Sequence, residues 1–166
     1  MNKETIIYII EAILMIALLF IFIPKSKIRE AHVAYLFTQI VTWPMGLIVA
    51  DFILIEYPIR IFSYANKAHF IFEFFLLPCI CTLFVINYPE KKNAFARFMY
   101  YFYFCTTITI IETVQEKYTD VLEYKHWTWY VTWIAIFITF YIVRKYNKWF
   151  FKKCRINVSS EEGFEI

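Results

Sequence analysis

The sequence predicts an all-α membrane protein, a bundle of five transmembrane helices with its N-terminus outside and its C-terminus inside. Three observations carry that prediction: an excess of apolar residues, their division into runs of bilayer length, and a one-sided placement of cations. Of 166 residues, 61% are hydrophobic and 19% charged, against roughly 45–50% and 25% in soluble domains. A soluble core of this size cannot absorb that excess. A helix crossing the hydrocarbon needs about 20 residues, and five runs approach that length, over residues 5–23, 33–55, 68–87, 94–113 and 127–143.

The first run, near the N-terminus, invites comparison with a signal peptide. Its apolar stretch is long, Glu11 interrupts it, only Lys3 precedes it, and PKSKIRE stands where a small-residue cleavage site belongs, so it reads as a retained helix. Pro24 with KSK, EYP at 56–58 and NYPEKKN at 87–93 supply the turns between runs. Pro44 and Pro78 fall inside the second and third runs; each removes a backbone donor and either shapes the bundle or opens a cavity. The connection at 112–127 is polar but lacks Gly and Pro, so it can extend the fourth helix by a turn or more. The fifth run opens within a belt of interfacial rings: Tyr57, Tyr64, Tyr118, Tyr124, Trp127, Trp129, Tyr130 and Trp133. Residues 1–150 form the membrane domain and 151–166 a cytoplasmic tail whose basic part rests on anionic lipid, at about 1 kcal/mol per cation. No internal repeat marks an inverted-topology transporter. Cys79, Cys81, Cys105 and Cys154 show no metal-ligand spacing and read as packing residues.

Orientation follows from the cations. The side holding the N-terminus carries Lys3, Arg60, Lys67, Lys117 and Lys125, five in all. The other side carries twelve: Lys25, Lys27, Arg29, Lys91, Lys92, Arg97, Arg144, Lys145, Lys148, Lys152, Lys153 and Arg155. Cations near span ends are retained in the cytoplasm, which places the C-terminus inside a cell membrane that the chain crosses several times. A net charge of +3 arranged this way serves the bilayer and gives no nucleic-acid surface.

Ionisable residues within the runs are costly and so informative. At 1.5 Å per residue, Glu11, Asp51 and Glu73 lie about 9, 6 and 7 Å below the outer ends of their spans. Glu112 falls at the outer end of the fourth span, and His69 and His126 at the outer starts of the third and fifth. His32 stands apart at the inner boundary, and no carboxylate lies in the inner half of any run. His69 and Glu73 are spaced i, i+4, as are Glu112 and Glu116 with Thr109 a turn below. His126, Tyr130 and Trp133 follow i, i+4, i+7, the spacing of an aromatic wall, and Gln39 and Thr42 extend the polar lining inward. The expectation is one hydrated, outward-facing pocket built from Glu11, Asp51, His69, Glu73, Glu112, Glu116, His126 and Tyr130. Carboxylates gathered there need protons, a basic partner or a bound cation.

The stretches DFILIEYPIR, ANKAHFIFEFFLLPCICTLFVINYPEKK and ETVQEKYTDVLEYKHWTWYVTWIAIFITFYIVRKYNKW resemble a group of small, uncharacterised polytopic membrane proteins of spore-forming Gram-positive bacteria. The matching positions are Asp51, Tyr57-Pro58, Pro78, Tyr88-Pro89, Glu112, Tyr124, His126 and Trp127, within residues 33 to 150. The chain departs from that pattern in having Asp51 where Asn is usual, no glycine beside His126, and Trp127 directly after it. The resemblance implies membrane residence and several helices, and supplies no activity to carry over.

Three functions fit the sequence. The first is a module that binds or senses a cation, a cationic amphiphile or a lipid headgroup; a divalent ion such as zinc is a candidate, without an HExxH or other dense ligand motif. The second is a lipid-modifying or isomerising enzyme using His69 and Glu73 as acid and base. The third is a transporter subunit. Membrane lipid is the expected partner, with a second copy or another membrane protein as further candidates.

Overall fold

The computed structural model describes residues 3–58, 70–119 and 121–162; His69 lies outside them. The described residues form five α-helices: α1 (Lys3–Phe22), α2 (Ile28–Asp51), α3 (Leu77–Ile86), α4 (Ala94–Tyr118) and α5 (Trp129–Glu162). Two short antiparallel strands, β1 (Ile55–Glu56) and β2 (Glu123–Tyr124), pair Ile55 with Tyr124 and Glu56 with Glu123. The segment Lys25–Asp51, which is α2 with a 3-10 turn before it, and Ala94–Tyr118 are long and apolar enough to cross a membrane. Ile6–Phe22 and Phe72–Ile86 are apolar but shorter. The fourth helix extends past its apolar run to Tyr118, because nothing between 113 and 118 breaks it. Helix α5 has 34 residues, about 50 Å at 1.5 Å each, so residues 151–162 continue the helix.

Polarity runs opposite to that of a soluble bundle. Phe20, Ile21, Ile40, Ile110 and Ile138 are exposed, while Thr38, Thr42, Thr82, Thr109, Thr132, Glu112 and Asn147 are buried. Thr38, Thr82 and Thr109 donate their hydroxyls to the carbonyls of Ala34, Pro78 and Cys105 four residues back, at 2.6, 2.8 and 2.8 Å. A buried hydroxyl satisfied by its own helix costs little. Cys79, Cys81 and Cys105 are buried free thiols, as packing residues should be.

Helix α2 lies along α3 and also against α5, which touches α3 and α4 in turn. The face that α2 buries is a line of small residues, Ala31, Ala34, Thr38, Thr42, Gly46 and Ala50, which lets helix axes approach closely. At the centre is Phe84, fully buried among Tyr101, Cys105 and Phe140. Asn93 starts α4 by accepting the Ala96 N–H on its side-chain oxygen at 2.9 Å, the role asparagine fills well at a helix N-terminus.

Pro78 shapes the entry to α3. It has no N–H for the carbonyl of Phe74, and its ring crowds that carbonyl. The chain answers with a π-helical turn over Phe72–Leu76, in which the Leu77 N–H reaches back to Phe72 O. The carbonyls of Glu73 and Phe74 are thereby left without helical donors, and α2 supplies replacements. Thr42 Oγ1 donates to Glu73 O at 2.8 Å, Gln39 Nε2 to Phe74 O at 2.9 Å and the Tyr35 hydroxyl to Phe74 O at 3.2 Å.

Helix α2 ends in a Schellman motif, with Leu54 N–H on Val49 O and Ile53 N–H on Ala50 O. That motif puts Ile53 at φ 55°, a left-handed conformation in which a β-branched residue crowds its own carbonyl. Ile53 is 53% exposed, so its side chain returns little in packing. Ile53→Gly is therefore expected to stabilise the fold by about 1 kcal/mol, read as a higher unfolding midpoint in detergent; an unchanged or lower midpoint contradicts the strain. Past Ile53, Leu54 O accepts the backbone N–H groups of Lys125 and His126, both at 3.1 Å. Lys125 bridges Glu123 at 2.7 Å and Glu56 at 3.4 Å, closing the two-stranded clasp.

Candidate functional site

A cavity of about 100 Å³ lies beneath the clasp, where the end of α2, the π-turn, the end of α4 and the start of α5 converge. Its lining includes Thr42 and Gly46, Tyr57, Phe72 and Glu73, Glu112 and Gln115, and Trp127 and Thr132. Two carboxyls from separate helices thus face one space. None of its described lining residues is Lys, Arg or His.

Glu112 is 7% exposed and firmly held. Its Oε1 accepts the Tyr124 hydroxyl at 2.6 Å and the Thr132 hydroxyl at 2.8 Å, and Trp127 Nε1 donates to Thr132 Oγ1 at 2.7 Å. A carboxyl fixed this way presents a defined acceptor edge. Burial, then the charge and hydrogen bond of Glu112, push the Tyr124 phenol up from its ordinary value. Tyr57 is buried too, and burial followed by the charges of Glu73, Glu112 and Tyr124 pushes its phenol well up. Both phenols stay protonated across the physiological range, and Tyr124 donates to Glu112.

Glu73 projects from the π-turn against bare backbone. A Cβ on Gly46 would stand 2.8 Å from Glu73 Cγ, 2.9 Å from Cδ and 3.2 Å from Oε1, so only glycine at position 46 leaves the carboxyl its place. Glu11, half-buried on α1, is one hydrogen bond removed: Gln115 Nε2 donates to its Oε1. The other oxygen of Glu11 is buried with no hydrogen-bond partner among the described residues.

Of the eight residues expected to converge, Glu73 and Glu112 line the cavity and Glu11 joins through Gln115. His69 lies outside the described residues, and the other four are placed differently. Asp51 is exposed at the end of α2, rotated off the face that carries Thr42 and Gly46. Glu116 is half-buried a turn beyond Glu112 and outside the lining. His126 is exposed and precedes α5, its backbone N–H donating to Leu54 O. Tyr130, 52% exposed, faces a separate apolar groove between α4 and α5 together with Trp133; the expected aromatic wall of the pocket is instead Tyr57 and Trp127. Thr42 lines the cavity, whereas Gln39 is engaged by Phe74 O. Among the described residues no group of three or more His, Cys, Asp or Glu stands close enough to hold a metal ion.

Sequence reasoning missed the cavity roles of Gly46, Tyr57, Tyr124, Trp127 and Thr132. For Gly46 a signal existed: Ala34, Thr38, Thr42, Gly46 and Ala50 recur at every fourth position, the pattern of a close helix contact. Compared with known proteins, the chain matches no family model, no curated protein and no solved structure.

Proposed function

We propose that this chain is a five-span protein of the cell membrane, N-terminus outside and C-terminus inside, whose acidic cavity binds an organic ammonium headgroup. One observation carries the reading: Glu73 and Glu112 face one cavity with no basic side chain among its described lining. Two carboxyls in a confined space of low polarity need a proton or a cation to balance them. Tyr57, Phe72 and Trp127 supply aromatic walls, and ring faces attract desolvated ammonium groups. The described donors favour an ammonium over a divalent metal. A volume of about 100 Å³, about that of three waters, suits a headgroup and excludes an alkyl tail. Apolar side chains exposed along the helices support residence in lipid, and the cation asymmetry supports the orientation. The acid–base reading rests on His69, which is outside the described residues.

The test is a thermal scan of the purified chain in a neutral maltoside detergent with dodecylamine, dodecanol or zinc chloride. At about ten times its Kd, dodecylamine is expected to add about 1.4 kcal/mol, which is about 3–6 °C for a chain of this size. Glu73→Gln and Glu112→Gln keep the shape and lose the shift. An equal shift with dodecanol, a shift with zinc alone, or a full shift in both variants defeats the proposal.

A further inference from the structure

At the other end of α2, about 28 Å from Gly46 at 1.5 Å per residue, lies a second and larger cavity of about 480 Å³. It opens between the start of α2, the loop after α3 and the second half of α5, and its charged lining is Lys27, Glu30, Glu90, Arg144, Lys148 and Lys152. Four cations thus face two carboxylates, and Val85, Ile86 and Phe151 add an apolar wall.

The cations are arranged around a fixed point. Arg144 lies 3.7 Å above the Tyr88 ring, its side chain only 11% exposed, and its Nη2 donates to both oxygens of Glu90 at 2.9 and 3.0 Å. Lys148 donates to the same carboxylate at 2.6 Å. Slight burial works to raise the Glu90 pKa, but the hydrogen bonds from Lys148 and Arg144 and their charges outweigh it and hold the carboxyl below its usual range. Glu90 therefore shows where these two side chains accept an anionic oxygen pair. Among the described residues Lys27 and Lys152 make no ion pair, whether with Glu30 or with another acid. Lys27 Nζ donates to a neutral carbonyl, Ile86 O, at 3.0 Å, and Arg144, beside the Tyr101 phenol, has its Nε buried without a hydrogen-bond partner among the described residues. Asn147, buried beside them, fastens α5 to α2 through Glu30 O at 3.1 Å, so the donors sit on elements fixed to each other.

We infer that this basic cavity binds a phosphate ester, held by Arg144, Lys27 and Lys152, with Lys148 shared between the ligand and Glu90. A guanidinium fixed by stacking, together with ammonium groups from α5 and from the turn before α2, matches the chemistry and charge of a phosphate. The ester is the head of an anionic phospholipid or a soluble phosphate monoester. The apolar wall of Val85, Ile86 and Phe151 is suited to the glycerol and upper acyl carbons of the lipid. This site is independent of the acidic cavity.

Native mass spectrometry and thermal scans of the full chain in maltoside detergent test it, with phosphatidylglycerol, phosphatidylcholine and glycerol 3-phosphate as probes. Phosphatidylglycerol is expected to be retained and phosphatidylcholine released. Lys27→Gln with Lys152→Gln, two exposed positions that leave the helices intact, is expected to weaken retention by about tenfold or more. Glu90→Gln frees Arg144 and Lys148 and is expected to tighten it severalfold, while Glu112→Gln leaves it unchanged. Glycerol 3-phosphate that protects the chain as well as the lipid does assigns the site to the soluble ester. Equal retention of both lipids with no protection by glycerol 3-phosphate, full retention in the double lysine variant, or loss of lipid from a folded Glu90→Gln protein overturns the inference.

Discussion

Phe84→Ala is expected to destabilise the bundle by about 3–5 kcal/mol, the largest effect of any single substitution in the core. Phe84 is fully buried, with ring centroids of Tyr101 and Phe140 at 4.7 Å, Tyr100 at 5.1 Å, Phe104 at 5.4 Å and Tyr88 at 5.6 Å. These rings come from α4, α5 and the loop after α3, so one side chain of α3 joins all of them. In the membrane setting proposed for this chain, the hydrophobic term between helices is nearly absent, because the tails are as apolar as the side chains. What is lost is dispersion and edge-to-face attraction. Deleting a ring that leaves about 100 Å³ empty costs about 2.4 kcal/mol in cavity alone, and aromatic pairs add about 0.5–1.5 kcal/mol each. Phe84→Leu keeps most of the volume and is expected to cost less than about 1.5 kcal/mol. Equilibrium unfolding in mixed micelles measures both; a cost below about 1 kcal/mol for the alanine variant shows that the rings are not the centre of stability.

Gly46→Ala is expected to have opposite signs in two backgrounds. Alanine favours a helix over glycine by about 1 kcal/mol, but here its methyl meets Glu73 Cγ at 2.8 Å, and overpacking of that kind costs about 1–3 kcal/mol. The collision is expected to win in the natural chain, which loses stability and, under the proposed function, its hold on an ammonium headgroup as the carboxyl is displaced. With Glu73→Ala already present the methyl has room, and the same change stabilises by up to about 1 kcal/mol. The double-mutant cycle should therefore give a coupling of about 2–3 kcal/mol. Additive effects would show that residues 46 and 73 do not share one space.

Gly46 and Asp51 also show what the chain discloses before it folds. Depth along a helix is legible, because 1.5 Å per residue converts position into height; Glu73 and Glu112 are both expected toward the outer ends of their spans, and they line one cavity. Direction around the axis is not fixed by height. Asp51 sits near that level on α2 but is rotated away from the line of small residues that decides which face packs. The same limit explains Tyr130, whose spacing from His126 assumes a helix that begins only at Trp129. The β1–β2 clasp depends on pairing across nearly 70 positions, from Ile55 to Tyr124, and two-residue strands have no periodicity to read. The basic cavity was half legible: its cations were counted as a sign of orientation, but their focus on Glu90 comes only from the meeting of α5 with the loop after α3.

Pro78 has a consequence for biogenesis. The carbonyls of Glu73 and Phe74 find their donors on Tyr35, Gln39 and Thr42, and bare carbonyls in hydrocarbon cost several kcal/mol each. A ribosome feeding this chain to a translocon one helix at a time would present α3 as a poor solitary passenger. In the proposed five-span arrangement, the pair α2 and α3 is thus the smallest unit that would enter lipid with these two carbonyls satisfied.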